Sequence, residues 1–357
     1  MPSFVKQCQK IGVTYSNQGQ ISMSEFSCVL PSVRRTLEAM SSPKPSHWKM
    51  SSEFKENRFL ESLQGVAHDG QFWYITANGN GERKSQGIFK YDQQMNLIKS
   101  LKISHNIALR HIYSSSNPDT LPFFDHIGDL DCFNDQLYIP IQHPHGFLVV
   151  NTDLNASSAK WFKEENRNGD THAWCAVNPW NNKLYTSDFM TQNIDKGQDD
   201  YRLTLYAYDV NTLKRLNSFD MDLKVPSLRV QGGCYSNDGH LYLSSDAYTY
   251  SQMLSKIAIK ISDPISKAGY IQKLNILNQS SIPLEPCITM YSFINGHLYG
   301  KVPVQRESEI FFKQELEGIT YWPKIENRQL TKIHLLLLEN QLGKDGVHFK
   351  HFRSTNN

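Results

Sequence analysis

QGGCYSNDGHLYLSSD, Gln231 to Asp246, has an earlier counterpart in QGVAHDGQFWYITAN, Gln64 to Asn78. Both open on Gln-Gly, take a short apolar step, turn through Asp-Gly and continue into an aromatic-rich run. The Asp-Gly pair tolerates the positive φ of a tight hairpin turn, and the Leu-Tyr or Phe-Trp that follows suits a strand, so each copy predicts a β-hairpin.

Three further copies follow the same plan: HIGDLDCFNDQLYIPI (His126 to Ile141), HAWCAVNPWNNKLYTSD (His172 to Asp188) and TMYSFINGHLYGKV (Thr289 to Val302). A weaker echo is EGITYWP, Glu317 to Pro323. After most hairpins a second strand pair is expected, as at Gly87 to Tyr91 with Leu97 to Leu101, and at Leu203 to Asp209 with Leu213 to Phe219. Gly146 to Val150 and Ile257 to Ile261 begin the same move. Four strands per unit, recurring at roughly 45 to 65 residues, is the signature of a propeller blade. The reading is therefore all-β: a β-propeller of six blades, each a four-stranded antiparallel sheet, with five or seven blades as the nearest alternatives. A Greek-key sandwich does not repeat one opening motif, and a doubly wound fold needs helices between strands, whereas only Pro31 to Met40 reads as helical.

Residues 1–46 lack the repeat and are expected to supply an edge or closure segment, with residues 47–357 forming the propeller as one domain. Gln329 to His351 is expected to complete the final blade, since pairing strands from both ends removes a free sheet edge.

Composition excludes several partners. A net charge of +2 over 357 residues, with Lys and Arg scattered, gives no footprint for nucleic acid or an anionic membrane. Mean hydropathy of −0.50 predicts a soluble surface. No apolar run is long enough to cross a bilayer and the start lacks the apolar core of a secretion signal, which predicts either an intracellular protein or a secreted one without its leader. Six cysteines show no zinc spacing; Cys132, Cys175 and Cys234 fall in the repeat and read as buried thiols, while Cys8 and Cys28 are spaced to close a short loop in an oxidising compartment. Asn155 and Asn278 head glycosylation-type triplets.

In a propeller the innermost strands converge on one axis, so residues heading each repeat are candidates for a shared site. Aligned on the aromatic after the turn, these are Gln64, Asp129, Trp174, Gln231 and Met290, with Glu317 heading the weaker sixth copy. Met290 to Glu317 is too short an interval for a full blade. Carboxylates and amides offer oxygen donors, which suit a hard cation such as Ca²⁺. Asp129, Asp131 and Glu317 are thus candidate metal ligands, and Gln64, Trp174, Gln231 and Met290 candidate ligand-binding residues. His126 and His172, just before the ring, are candidate general bases, and His143 and His145 flank the same blades. There is no G-x-S-x-G elbow, and Asn78-Gly-Asn-Gly81 is a glycine-rich turn without a helix to make it a phosphate cradle.

EGITYWP, SNDGHLYLSSD and NPWNNKLYTSD resemble the six-bladed propellers of the calcium-dependent lactonase and phosphotriesterase superfamily, with its strictosidine-synthase-like and NHL-repeat relatives. The resemblance implies a channel Ca²⁺ held by Glu317 with Asp129 as its aspartate, and hydrolysis of lactones or esters. Where that family carries asparagines, this chain has Gln64, Trp174, Gln231 and Met290.

Three functions follow as expectations: binding of a small ligand, ion or partner over the channel mouth, with Trp73, Trp174 and Trp322 as aromatic neighbours; metal-assisted hydrolysis; or a protein scaffold using an outer loop such as Thr191 to Tyr201.

Overall fold

The computed structural model describes residues 48–59, 62–78, 86–103, 125–143, 145–164, 172–189, 192–193, 201–225, 229–237, 239–245, 286–292, 296–304, 314–326, 328–339 and 345–354. Residues 1–47, Ile257 to Ile261 and most of Thr191 to Tyr201 lie outside them, and with them the expected helix, Cys8 and Cys28.

The chain enters through β1 (Trp48–Phe59) and builds a first sheet from β2 (Leu63–His68), β3 (Trp73–Ala77), β4 (Gly87–Tyr91) and β5 (Leu97–Lys102). The second blade opens on an interrupted inner strand, β6 (Asp125–Ile127) and β7 (Asp131–Phe133), both against β8 (Gln136–His143), followed by β9 (Gly146–Asn151) and β10 (Lys160–Lys163). The third runs β11 (Ala176–Asn178), β12 (Lys183–Ser187) and β14 (Tyr201–Asp209), with β13 (Gln192–Asn193) beside β14 and β15 (Met221–Val225) on its outer edge. The fourth is β16 (Val230–Tyr235), β17 (His240–Ser245), β18 (Cys287–Ser292) and β19 (Leu298–Pro303). The last holds β20 (Gln314–Glu326), β21 (Gln329–Glu339) and β22 (Asp345–Ser354), and its fourth, outermost strand is β1.

These are five antiparallel blades, not six. Their inner strands touch in a closed cycle, β2 to β7, β7 to β11, β11 to β16, β16 to β20 and β20 back to β2. The source of the miscount is TMYSFINGHLYGKV. It forms β18 and β19, the third and fourth strands of the blade that QGGCYSNDGHLYLSSD opens. An Asn-Gly turn between alternating strands marks any hairpin, inner or outer, so the motif could not distinguish them. Met290 accordingly sits away from the axis, paired with Tyr242 and Gly300. The weak echo EGITYWP is the true opening of the fifth blade.

Five apolar clusters fill the five gaps between neighbouring blades. Ile88 and Tyr74 meet Ile127 and Leu148; Phe147 meets Leu184 and Tyr208; Leu203 and Trp174 meet Leu243 and Tyr291; Ile288 and Met290 meet Leu316 and Leu335; Leu336 and Phe349 meet Trp73 and Ile75. Each sheet is covered on both faces. That is why β3, β4 and β17 are buried at every residue instead of alternating in and out.

Turn chemistry places the hairpins. Asn134 and Asp135 both take positive φ, at 50° and 58°, between the paired Phe133 and Gln136. Asp69 Oδ1 accepts the backbone N–H of Gln71 and Phe72 at 2.8 and 2.7 Å, closing the first hairpin. Trp48–Phe59 is the outer strand of the closing blade, the expected closure segment 1–46 lies outside the described residues, and β21 with β22 completes the final blade much as expected. Leu213 to Phe219 is not a strand. Leu213 takes positive φ, its N–H caps Asp209 O, and the outer strand begins only at Met221.

Candidate functional site

The decisive residue on the axis is Asp129. Its amide donates to Ala173 O at 2.8 Å and its carbonyl accepts from Cys175 N at 3.1 Å, joining blade 2 to blade 3. Its carboxylate reaches the other three blades: Oδ1 accepts Val66 N–H at 2.9 Å, and Oδ2 accepts Gly233 N–H at 3.2 Å and Ile319 N–H at 3.1 Å. One aspartate of blade 2 therefore bonds to all four other blades.

The local sequence explains how. In the register, Tyr74 pairs with Ala67, Tyr138 with Asp131, Tyr185 with Ala176 and Tyr242 with Cys234. Two residues earlier on each inner strand stand Gly65, Asp129, Trp174 and Gly232, and Gly318 holds this step in blade 5. A Cβ on Gly65 or Gly232 would lie within 2.7 Å of an Asp129 oxygen, and on Gly318 within 2.6 Å. Glycine leaves the room that the carboxylate fills. Gly233 makes the same allowance for Trp174, whose ring would meet a Cβ there at 2.3 Å. Trp174 is fully buried, with its indole N–H on Ser187 Oγ at 2.8 Å.

The inner strands of blades 1, 4 and 5 slip register by one residue beside this step, between Leu63 and Gly65, Val230 and Gly232, and Leu316 and Ile319. Such bulges aim one residue out of the ladder. In blades 1, 4 and 5 that residue is Gln64, Gln231 or Glu317. Carbonyls at this level are taken by hydroxyls of the preceding blade, Thr76 on Gly128 O at 2.9 Å in the break of the blade 2 inner strand and Ser244 on Glu317 O at the blade 5 bulge. Gln231 Nε2 donates to Glu317 Oε1 at 3.5 Å, and Gln64 Nε2 donates to Ser62 Oγ and Leu63 O at 3.2 and 3.1 Å. All three side chains are nearly covered. Gln231 and Glu317 meet one step from Asp129, and Gln64 holds the corresponding position in blade 1.

The sequence-based ring thus mixes two levels: Asp129 and Trp174 occupy one step, Gln64, Gln231 and Glu317 the step before. Turns of differing length between the inner strand and its aromatic blur the alignment by a residue.

The expected metal donors do not converge. Asp131 lies two residues further on, half-buried, with Oδ1 on Cys132 N–H at 2.8 Å and Oδ2 on Val177 N–H at 2.6 Å. Among the described residues no three His, Cys, Asp or Glu side chains stand where they could share an ion. Ca²⁺ needs six to eight oxygens, while Asp129 and Asp131 spend theirs on backbone N–H groups and Glu317 Oε1 accepts the Gln231 amide. As the described residues hold it, this donor set does not fit a calcium ion.

Burial pushes the Asp129 carboxyl well above the ordinary carboxylate range, with Ile319, Val66 and Gly233 N–H pulling the other way and Asp131 adding to the rise. Asp131, densely surrounded although solvent touches it, is pushed up by burial to about 7. Burial likewise raises the thiols of Cys175 and Cys234, which stay protonated and inert.

His126 and His172 enter separate networks. His126, at φ 58°, has Nδ1 3.1 Å from Asn78 Nδ2. An amide nitrogen donates, so Nδ1 is an acceptor. His172 is fully buried between blades 2 and 3, stacked on Phe147. Its Nε2 lies 2.7 Å from Glu164 Oε2 and its Nδ1 3.2 Å from Thr186 Oγ1. Thr186 spends its own hydrogen on Trp174 O, so His172 Nδ1 must donate, and a second proton lies between Nε2 and Glu164. Tyr208 closes the cluster on Glu164 Oε1. Neither nitrogen of His172 is open to a substrate. Glu164, Thr186 and Tyr208 carry no repeat signal in the sequence; the three axial glycines do, as the second residue of QGV, QGG and EGI.

With this geometry in place the chain can be set beside known proteins. It matches no family model and no curated protein sequence. Among solved structures it is similar to Myxococcus xanthus glutaminyl cyclase, at TM-score 0.45 and 9% identity over 86% of this chain and 97% of that one. It is also similar to the tail fibre of Staphylococcus aureus phage P68, at TM-score 0.46 and 13% identity over 87% of this chain, which spans about half, 53%, of the fibre chain. A nidogen/laminin complex gives TM-score 0.39 and 7% identity over 80% of this chain and 79% of that chain. Scores of this size add nothing to the fold. It rests on the sheet order and the closed ring: the chain is a five-bladed β-propeller.

Proposed function

We propose that the chain is a binding propeller whose seat for a small polar ligand lies at the axial end marked by Gln64, Gln231 and Glu317. The observation that carries this reading is the Gln231–Glu317 contact across two blades, directly beside the Asp129 plug. Plugging at Asp129 leaves no through-channel at that step, so recognition belongs to the mouth. Two amides and a carboxylate offer both donors and an acceptor to a ligand that displaces their mutual contacts. Binding is favoured over hydrolysis because both nitrogens of the candidate base His172 are already bonded.

Thermal shift against a panel of amino acids, sugars and nucleosides tests it, since a ligand of the native state raises the melting temperature by mass action. A shift lost in Gln231→Ala and kept in Gln71→Ala, an exposed turn residue at the other end of the hairpin, is the expected result. A panel without a single shift, or shifts indifferent to Gln231 and Glu317→Gln, overturns the reading.

A further inference from the structure

Away from the axis, on the seam where the fifth blade packs against the first, three histidines stand together. Their placement starts from a fault in the ladder: β20 and β21 slip register between Tyr321 and Lys324. Two consecutive carbonyls there are taken by imidazoles, Tyr321 O by His68 Nε2 at 2.9 Å and Trp322 O by His334 Nε2 at 2.8 Å. A carbonyl only accepts, so both Nε2 atoms carry hydrogen. His68 Nδ1 then accepts Gly70 N–H at 3.1 Å, which makes this ring neutral. His334 Nδ1 lies 2.6 Å from His351 Nδ1, a gap that holds one hydrogen and not two. With Nε2 of His334 protonated, the hydrogen between them belongs to His351. The tautomers follow from the partners alone.

Aromatic rings pack this group from every side. His68 stacks on Trp322 with centroids 4.7 Å apart, Trp73 meets His334 edge-on at 5.0 Å, and Phe349 meets His351 at 4.5 Å. Of the other charged groups, Lys324 lies over Trp73 and Trp322 at 5.0 and 5.4 Å and opposes any added positive charge, while Asp69 stands on the His68 side and favours it. His348 and Lys350 alternate on β22 to the opposite face. Burial lowers His68 to about 4, and burial followed by the charge of His351 keeps His334 well below the ordinary histidine range.

The seam is where the ring closes, because blade 5 is built from both β1 and the last three strands. We propose that His68, His334 and His351 form an acid-sensitive latch that ties the closing blade to the first while neutral and lets this seam open ahead of the other four in mild acid. A proton on His68 Nδ1 turns it into a donor facing the Gly70 N–H. A proton on His334 sets two N–H groups against each other across the pair. Either change is relieved by opening.

Hydrogen exchange on the full chain, corrected for intrinsic rates, reads the latch directly. The His68 shift alone favours the opened seam by roughly twentyfold between pH 7 and pH 5. Amides of β2, β20 and the start of β21 should therefore accelerate by about that factor while β8 and β9 stay unchanged. His68→Gln keeps a donor for Tyr321 O and cannot take a proton, so it should lose most of the response. Should that variant fail to fold, imidazole nitrogen shifts of the native protein serve instead: His68 should keep its Nε2–H tautomer at pH 5. Equal acceleration in β8 and β9, no acceleration at all, or titration of His68 near 6.5 would each overturn the latch.

Discussion

Asp129→Asn is the sharpest probe of the axis. The substitution keeps shape and volume but leaves one acceptor oxygen where the carboxylate has two. In the better of the two amide orientations that oxygen keeps the N–H groups of Gly233 and Ile319, and the NH₂ then faces the N–H of Val66. The amide of Val66 and the new NH₂ are both buried donors without acceptors, each costing about 1–3 kcal/mol. The expected loss is roughly 2–6 kcal/mol, against a total of about 5–15 kcal/mol for a folded domain. Asp129→Ala strips all three donors and is expected to leave little or no folded protein. Urea unfolding followed by circular dichroism at pH 7 gives the free-energy difference, provided that the slope of the transition is unchanged. A loss under about 0.5 kcal/mol, the size of an ordinary surface change, would mean that the inner strands hold their ring without this carboxylate, and the account of the plug would fall.

Two further outcomes follow from the same geometry. Asp131 is raised from 3.8 to about 7, so the folded state holds its proton more tightly than the unfolded chain; stability is greatest below pH 4 and falls as pH rises to about 7, by at most about 4 kcal/mol and less where solvent reaches the carboxyl. Asp131→Asn should flatten that part of the pH profile, and an unaltered slope would place the shift elsewhere; the histidine latch runs in the opposite direction, so the difference between variant and wild type isolates Asp131. EDTA or added Ca²⁺ should leave the melting temperature unchanged, whereas a rise of several degrees with Ca²⁺ would require Asp129 to abandon its backbone N–H donors.

The sequence made the blades legible because hairpin turns and alternating apolar residues are local. Gly87 to Tyr91 and Gly146 to Val150 are read within a residue of their strands. The blade count was not local. Thr289 to Val302 carries the same turn and aromatic signature as an opening hairpin, and only pairing with β17 reveals it as the outer half of a blade. The short interval from Met290 to Glu317 was the one visible sign that a repeat had been counted twice. Asp129 stood out as a charge at the head of a repeat, but its partners are backbone N–H groups, which every residue except proline carries and no side-chain pattern announces. The histidine seam was invisible for a related reason: His68, His334 and His351 lie far apart in sequence, and a register fault in a long hairpin brings two of them onto neighbouring carbonyls.

The axis shows how a repeated backbone acquires a unique centre. Five equivalent strands meet at one step, and five identical side chains there would either crowd the channel or leave it open. Glycine at three of the five steps, Trp174 at a fourth and Asp129 at the last resolve this by filling the centre from one side. The carboxylate suits the task because its two oxygens take three N–H groups from three blades, each presented by the residue after a glycine. Having used its donors and acceptors in this way, the step has little left for chemistry. Side chains aimed out of the ladder at the neighbouring bulges retain that capacity, which is why the proposed seat lies at Gln64, Gln231 and Glu317 and not on the aspartate that holds them in place.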